Sequence, residues 1–136
     1  MDTCLFCKIG KKDIEAKMIA ESENFFCFLD IHPRVPGHTV VVPKEHIENF
    51  AELPLDLSRE LIDVMQQSMH KLSRALETKD FTLGVNEGPL AGRVVHHLHV
   101  HIMPRFEKDN GGSIHSVVLY ENGESLDSIY NKITTS

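Results

Sequence analysis

Four of the chain's nine histidines fall within six residues, in HHLHVHIMPR from His96 to Arg105, and His97, His99 and His101 stand strictly two apart. A helix repeats its polar positions every three or four residues, whereas a strand repeats every two. The spacing therefore predicts a strand with three imidazoles on one side and Leu98, Val100 and Ile102 facing a core on the other. Successive histidine Cα atoms on such a strand lie roughly 6.6 Å apart. His96 has the opposite parity and reads as an ordinary satisfied histidine.

Three chemistries fit this row: a solvated polar face, a metal site built on His-x-His, or a catalytic set. A cupin-like metal site needs a glutamate soon after the pair and a histidine far downstream. Here Glu107 lies beyond Pro104 and only His115 follows. Catalysis needs a group that is nucleophilic when neutral and a proton donor when charged, and imidazole is both near pH 7. The neighbours favour this third reading. The Gly/Pro-rich stretch EGPLAGR presents backbone N–H groups suited to phosphate oxygens, Arg93 adds a permanent charge, and Asn86 supplies an amide donor. Each is also common turn chemistry. A second constellation, CLFC, is a pair of free thiols or a redox pair; its spacing to later cysteines does not complete a zinc finger, because only Cys27 remains.

The elements that must position these residues are short. Residues 17–22 and 24–30 read as strands joined by a tight turn, and residues 37–43 as a β-branched strand closed by Pro43. Leu61, Met65, Met69, Leu72 and Leu76 recur at helical spacing and predict one long helix over residues 57–77. Residues 81–86 and 97–104 read as a fourth and fifth strand. Past Glu107 a polar loop leads to a short strand near residues 117–120 and a helical turn near residues 126–133. Short connections between neighbouring strands imply an antiparallel sheet, so the fold class is α+β: five strands with one long and one short helix.

At 136 residues the chain reads as one domain, 1–136. A net charge of −6 argues against a polymeric nucleic-acid partner but not against a small anionic ligand. No apolar run approaches the ~18 residues that span a bilayer, so no membrane association is expected. The first residues lack the apolar stretch of a secretory signal, and three cysteines make no secreted disulfide pattern, so a reducing cytoplasm is the expected location.

The stretch AGRVVHHLHVHIMPR resembles the histidine-triad (HIT) motif, His-φ-His-φ-His-φ-φ preceded by Gly-Gln-x-Val. FLDIHPRVPGHTVVVPKEHI is similar to the family's Asp-Ile, proline turn, Gly-His, strand and Pro-Lys-x-His, and CLFCKIGKKDIEAKMIAESE to its N-terminal segment. The resemblance runs from Cys4 to Arg105 and leaves residues 106–136 as a C-terminal extension.

The resemblance implies a hydrolase or transferase acting at the α-phosphate of a nucleoside phosphate, adenosine being the expected nucleoside. His99 maps to the nucleophile that carries the nucleotidyl group, His101 to a phosphate contact and proton carrier to the leaving oxygen or nitrogen, and His97 and His38 to supporting histidines. Asp30 maps to the carboxylate that accepts the ribose hydroxyls. Phe6, Ile9, Ile14, Phe28, Leu29 and Ile31 fall where the family lines its base pocket, and Asn86, Gly92, Arg93 and Val94 on the phosphate loop. Some members hold a structural zinc with residues equivalent to Cys4, Cys7, His46 and His97. No metal is needed for the chemistry, though a substrate polyphosphate can bring magnesium with it. The family also implies a homodimer.

Two positions depart from the pattern. Arg93 stands where the family has Gln, and Val94 where many members have Ser or Thr. In the phosphoramidase branch that serine bonds the leaving nitrogen, which Val94 cannot do. The loop NEGPLAGR also resembles the Asp-Gly-Pro-x-Ala-Gly-Gln of the dinucleoside-polyphosphate branch. The expected substrates are dinucleoside polyphosphates or related adenylyl compounds; the alternatives are a phosphoramidase and a non-catalytic nucleotide- or zinc-binding protein.

Overall fold

Phe25–Leu29 is an unbroken apolar run and Thr39–Pro43 is one apart from Thr39, whose hydroxyl donates to the Gly37 carbonyl oxygen; both are buried almost throughout. Runs without alternation suit strands that are covered on both faces. The computed structural model, which describes residues 3–121 and 123–136, shows how that covering is built. Strands β1 (Met18–Glu21), β2 (Phe25–Leu29), β3 (Thr39–Pro43), β4 (Phe81–Gly84) and β5 (Val100–Pro104) form one antiparallel sheet in the order β1-β2-β3-β5-β4.

The long helix α2 (Ser58–Leu76) lies on one face, where Leu61, Val64 and Leu72 meet Phe25, Cys27, Val41, Val100 and Ile102. Ser68 shares that buried stripe because its hydroxyl donates back to the Val64 carbonyl oxygen at 2.9 Å, which satisfies it inside the core. Helix α2 also clamps the β1–β2 turn: the Glu60 carboxylate accepts from the Ser22 hydroxyl at 2.5 Å and from the Asn24 backbone N–H at 2.6 Å. On the opposite face Phe6 and Ile9 of a short helix, α1 (Leu5–Gly10), pack on Phe26, Phe28, Val40 and Val42.

Pleating therefore decides the histidine side. Val100 and Ile102 point to α2, so His101 points to the α1 face, registered between Val40 on β3 and Gly84 on β4. An added Cβ at Gly84 would meet nothing within 4 Å, so the sheet surface beside His101 is open.

Several expectations are corrected. The strand expected over residues 97–104 starts only at Val100, because β3 ends at Pro43, which has no N–H for the ladder and whose carbonyl oxygen accepts from the His97 ring. The parity of the row nonetheless holds: Leu98, Val100 and Ile102 are buried. The fourth strand ends at Gly84, short of Asn86. Residues 117–120 form no strand; Val117, Val118, Leu119 and Tyr120 are exposed, with no ladder partner among the described residues. Helix α1 is additional to the long and short helices expected, and the C-terminal turn is a nine-residue helix, α3 (Leu126–Thr134), capped by the Ser125 hydroxyl. Among the described residues no helix is long and apolar enough to cross a membrane.

Candidate active site and metal centre

The three histidines of the row are oriented by different partners. His99 donates its Nδ1–H to the carbonyl oxygen of His97 at 2.8 Å, which leaves Nε2 as a bare lone pair. Its ring stands edge-on to Phe6, with centroids 5.0 Å apart, and 5.1 Å from the His101 ring.

His101 is held by a relay of donors. The Arg34 backbone N–H donates to His38 Nδ1 at 3.1 Å, so the proton of His38 sits on Nε2 and is given to His101 Nδ1 at 2.9 Å. His101 then carries its own proton on Nε2 and presents it as a donor. Burial, with His99 and His38 adding to it, pushes the His101 imidazole down to about 4, and burial also lowers His38. The pair is neutral near pH 7. Asp30 lies 3.7 Å from His38 Nε2 and accepts the His32 N–H at 2.8 Å, so it is a turn residue and a neighbour of the relay at once.

His97 leaves the row altogether. Fully buried, it donates Nε2–H to the Pro43 carbonyl oxygen at 2.8 Å and aims Nδ1 at two thiols, Cys4 at 3.3 Å and Cys7 at 3.5 Å. His46 Nδ1 lies 3.3 Å from Cys7 Sγ, with its Nε2 3.6 Å from a Glu48 carboxylate oxygen. The four ligand atoms of Cys4, Cys7, His46 and His97 all lie within 4.8 Å of one another. This donor set fits tetrahedral zinc: two sulfurs, two imidazole nitrogens with lone pairs inward, and each outer nitrogen facing an oxygen. Cys4 and Cys7 come together because Cys4 is the N-cap residue of α1 and Cys7 lies in its first turn.

The residues expected at the nucleotide separate into two groups. Phe6, Ile9 and Phe28 are buried, the two phenylalanines packed edge to face with centroids 5.7 Å apart. Ile14 and Ile31 are exposed, with Leu29 and Asp30 between these extremes. On the loop before the row, Gly88 and Gly92 adopt φ of +84° and +91°, a conformation that selects glycine although a Cβ would have room. Asn86 and Val94 are exposed.

Arg93 does not reach toward the row. Its Nη1 donates to Asn49 Oδ1 at 2.7 Å, and Nη2 lies 3.4 Å from His96. In this structure an amide oxygen on the segment after His46 holds the guanidinium. Sequence reasoning also missed Arg34, Glu48, Asn49 and Glu87. The role of Arg34 runs through its backbone, which no side-chain pattern reveals.

A protein-family profile described as the HIT domain matches residues 11–108. An uncharacterized HIT-like protein of Methanocaldococcus jannaschii is 42% identical over 78% of this chain and 81% of its own. The adenosine 5'-monophosphoramidase hnt1 of Schizosaccharomyces pombe is 33% identical over 80% of this chain and 79% of its own. Among solved structures, a HIT-family member from Bacillus subtilis superposes with a TM-score of 0.83 at 29% identity, over 98% of this chain and 94% of that one. A zinc-bound histidine-triad protein from Mycobacterium smegmatis superposes with a TM-score of 0.72 at 33% identity, over 80% and 79%.

Proposed function

The chain belongs to the HIT-domain family, and we propose that it is a nucleotide hydrolase that works through a nucleotidyl-histidine on His99. The observation that carries this reading is the pair of opposite tautomers: His99 offers a bare Nε2 while its neighbour His101 offers an Nε2–H. The lone pair of His99 attacks the α-phosphorus and the bond to the leaving group breaks. The leaving group departs with the bonding electrons, and the positive charge on the phosphorylated ring is shared with the His97 carbonyl through Nδ1–H. Water then attacks phosphorus, the P–N bond breaks, and the proton of water goes to solvent. One difficult displacement becomes two easier ones.

The state of His101 bears on the leaving group. A neutral imidazole stabilises developing negative charge as a hydrogen-bond donor rather than as an acid. That suits leaving groups that depart as anions, such as the polyphosphate of a dinucleoside polyphosphate, over amines that need a proton. Val94, 83% exposed and without a hydroxyl, points the same way. The relative named as an adenosine 5'-monophosphoramidase supports adenosine as the nucleoside and keeps phosphoramidate as the rival substrate. Asp30 would take the ribose hydroxyls, and Phe6, Phe28, Leu29 and Ile31 the base.

Cys4, Cys7, His46 and His97 would hold zinc, which supplies structural cross-linking and no reacting atom. We also read the chain as a homodimer: Leu126, Tyr130 and Ile133 make an exposed apolar face on α3 that a second copy would cover. Turnover of diadenosine polyphosphates and adenosine phosphoramidate by purified protein, measured side by side, tests the reading; no release of nucleotide from either would overturn it.

A further inference from the structure

The loop ahead of the histidine row is bolted to the segment that follows His46, at both of its ends. At the start, the Glu87 carboxylate accepts the backbone N–H of Phe50, and that of Ala51 at 3.2 Å. At the end, Arg93 Nη1 donates to Asn49 Oδ1 at 2.7 Å and lies 3.4 Å from the Glu48 carbonyl oxygen. Asn49 is fixed in turn, since its amide donates to Glu52 at 2.8 Å. A third tie joins the row itself to the same segment: Leu98 N–H donates to the Ile47 carbonyl oxygen at 2.6 Å. Between the two bolts the loop has only local bonds, Gly92 N–H to Pro89 and Arg93 N–H to Gly88. Its own sequence does not determine where it sits.

Arg93 bears the marks of an anchor rather than of a ligand hand. Its Nε is shielded from solvent with no hydrogen-bond partner among the described residues, an arrangement that costs free energy and persists only if the rest of the group is held firmly. Its forked head grips an amide and a carbonyl on one strand of chain, a geometry that glutamine at this position cannot reproduce with charge. The gripped segment lies two to five residues after His46, and Glu48 both offers its carbonyl to Arg93 and lies 3.6 Å from His46 Nε2.

We propose that Arg93 and Asn49 form a positioning latch that holds the loop of residues 88–93 ahead of the histidine row and ties its placement to the Cys4–Cys7–His46–His97 centre. Arg93 acts through Asn49 and not on substrate. The latch rests on the hydrolase reading only for its kinetic consequence. Its mechanical consequence, that loop and metal segment loosen together, stands without it.

The test uses Arg93→Ala, Asn49→Ala, the double variant and Arg93→Lys in the full zinc-loaded chain. Each single alanine variant should lower kcat on the order of tenfold with KM little changed, since a displaced loop misaligns the reacting phosphate while base and ribose are held elsewhere. The double variant should lose no more than the worse single one, because either change opens the same latch. Arg93→Lys should recover part of the rate. Independently of turnover, hydrogen exchange at residues 88–93 and 48–51 should speed up together in both alanine variants, and zinc should pass to a chromogenic chelator several-fold faster. Additive losses, or a loss in Arg93→Ala that grows with substrate phosphates while Asn49→Ala behaves as wild type, would overturn the latch in favour of direct contact. Unchanged exchange and zinc release would overturn it as well, whether or not the protein turns over a nucleotide.

Discussion

His97 and His99 share one hydrogen bond that joins two sites: the backbone carbonyl of His97 takes the Nδ1–H of His99 at 2.8 Å, while the His97 ring is fixed among Pro43, Cys4 and Cys7. The ring that would bind metal thus anchors the oxygen that aims the proposed nucleophile. The peptide that carries this carbonyl is held on its other side as well, since Leu98 N–H donates to the Ile47 carbonyl oxygen at 2.6 Å.

Replacing His99 with Ala removes the lone pair while leaving Phe6, Asp30 and the loop in place. Turnover should fall by at least about a thousandfold, as expected when a nucleophile is lost, and the affinity for AMP should stay within a few-fold. Isothermal titration and steady-state kinetics on the same preparation check both halves. Near wild-type turnover would remove His99 from the chemistry.

Metal analysis should find one zinc per chain, as a closed four-ligand set requires. Cys4→Ser combined with Cys7→Ser should release it and lower the melting temperature by several degrees, because metal binding is coupled to folding. The rate should change less than in His99→Ala. Protein that is metal-free as purified and melts like the cysteine variant would eliminate the site.

The buried relay gives stability a defined pH dependence. His38 and His101 are held below the ordinary imidazole value of 6.5, His101 down to about 4, chiefly by burial. Between these values the unfolded chain binds protons that the folded chain refuses, so stability falls as pH drops from 6.5 toward 4 and is flat above. For His101 alone the full effect is on the order of 3 kcal/mol. Glu60, held low by its bonds to Ser22 and Asn24, and Glu21, held low by Lys12 and Lys44, contribute only below about 4.5. Melting temperatures measured from pH 7 to 5 should therefore fall before the carboxylates matter, and fall less in His101→Gln. A flat curve over that interval would mean that folding does not hold the two imidazoles below their ordinary value.

How far the chain is legible depends on how local each cause is. The histidine parity, the long helix and the β1–β2 turn follow from spacing alone. The early end of the row's strand does not, because it is set by Pro43, which meets His97 only in the folded sheet. Helix α1 is six residues long, too short to show a period, although its Cys-x-x-Cys spacing was a usable sign. The metal set is scattered over Cys4, Cys7, His46 and His97, so it emerged from resemblance and not from any local pattern. A lone arginine beside a glycine loop points in sequence to an anion, because its polar partners within the fold are not local. The actual partner of Arg93, Asn49, lies 44 residues away in sequence.

Leaving-group choice should be adjustable at Val94. That side chain is 83% exposed on the loop that leads to the row, so Val94→Ser should cost little stability. Serine there adds a hydroxyl able to donate to, or accept from, a departing nitrogen, an interaction valine lacks. An amine leaves well only with help of this kind, whereas a polyphosphate departs as a stable anion and gains little from it. The ratio of kcat/KM for adenosine phosphoramidate to that for diadenosine triphosphate should therefore rise several-fold, roughly the worth of one hydrogen bond in the transition state, and rise through the phosphoramidate term. Parallel kinetics on wild type and Val94→Ser measure this directly. An unchanged ratio would place the leaving-group preference elsewhere, with the neutral donor His101 the first residue to vary.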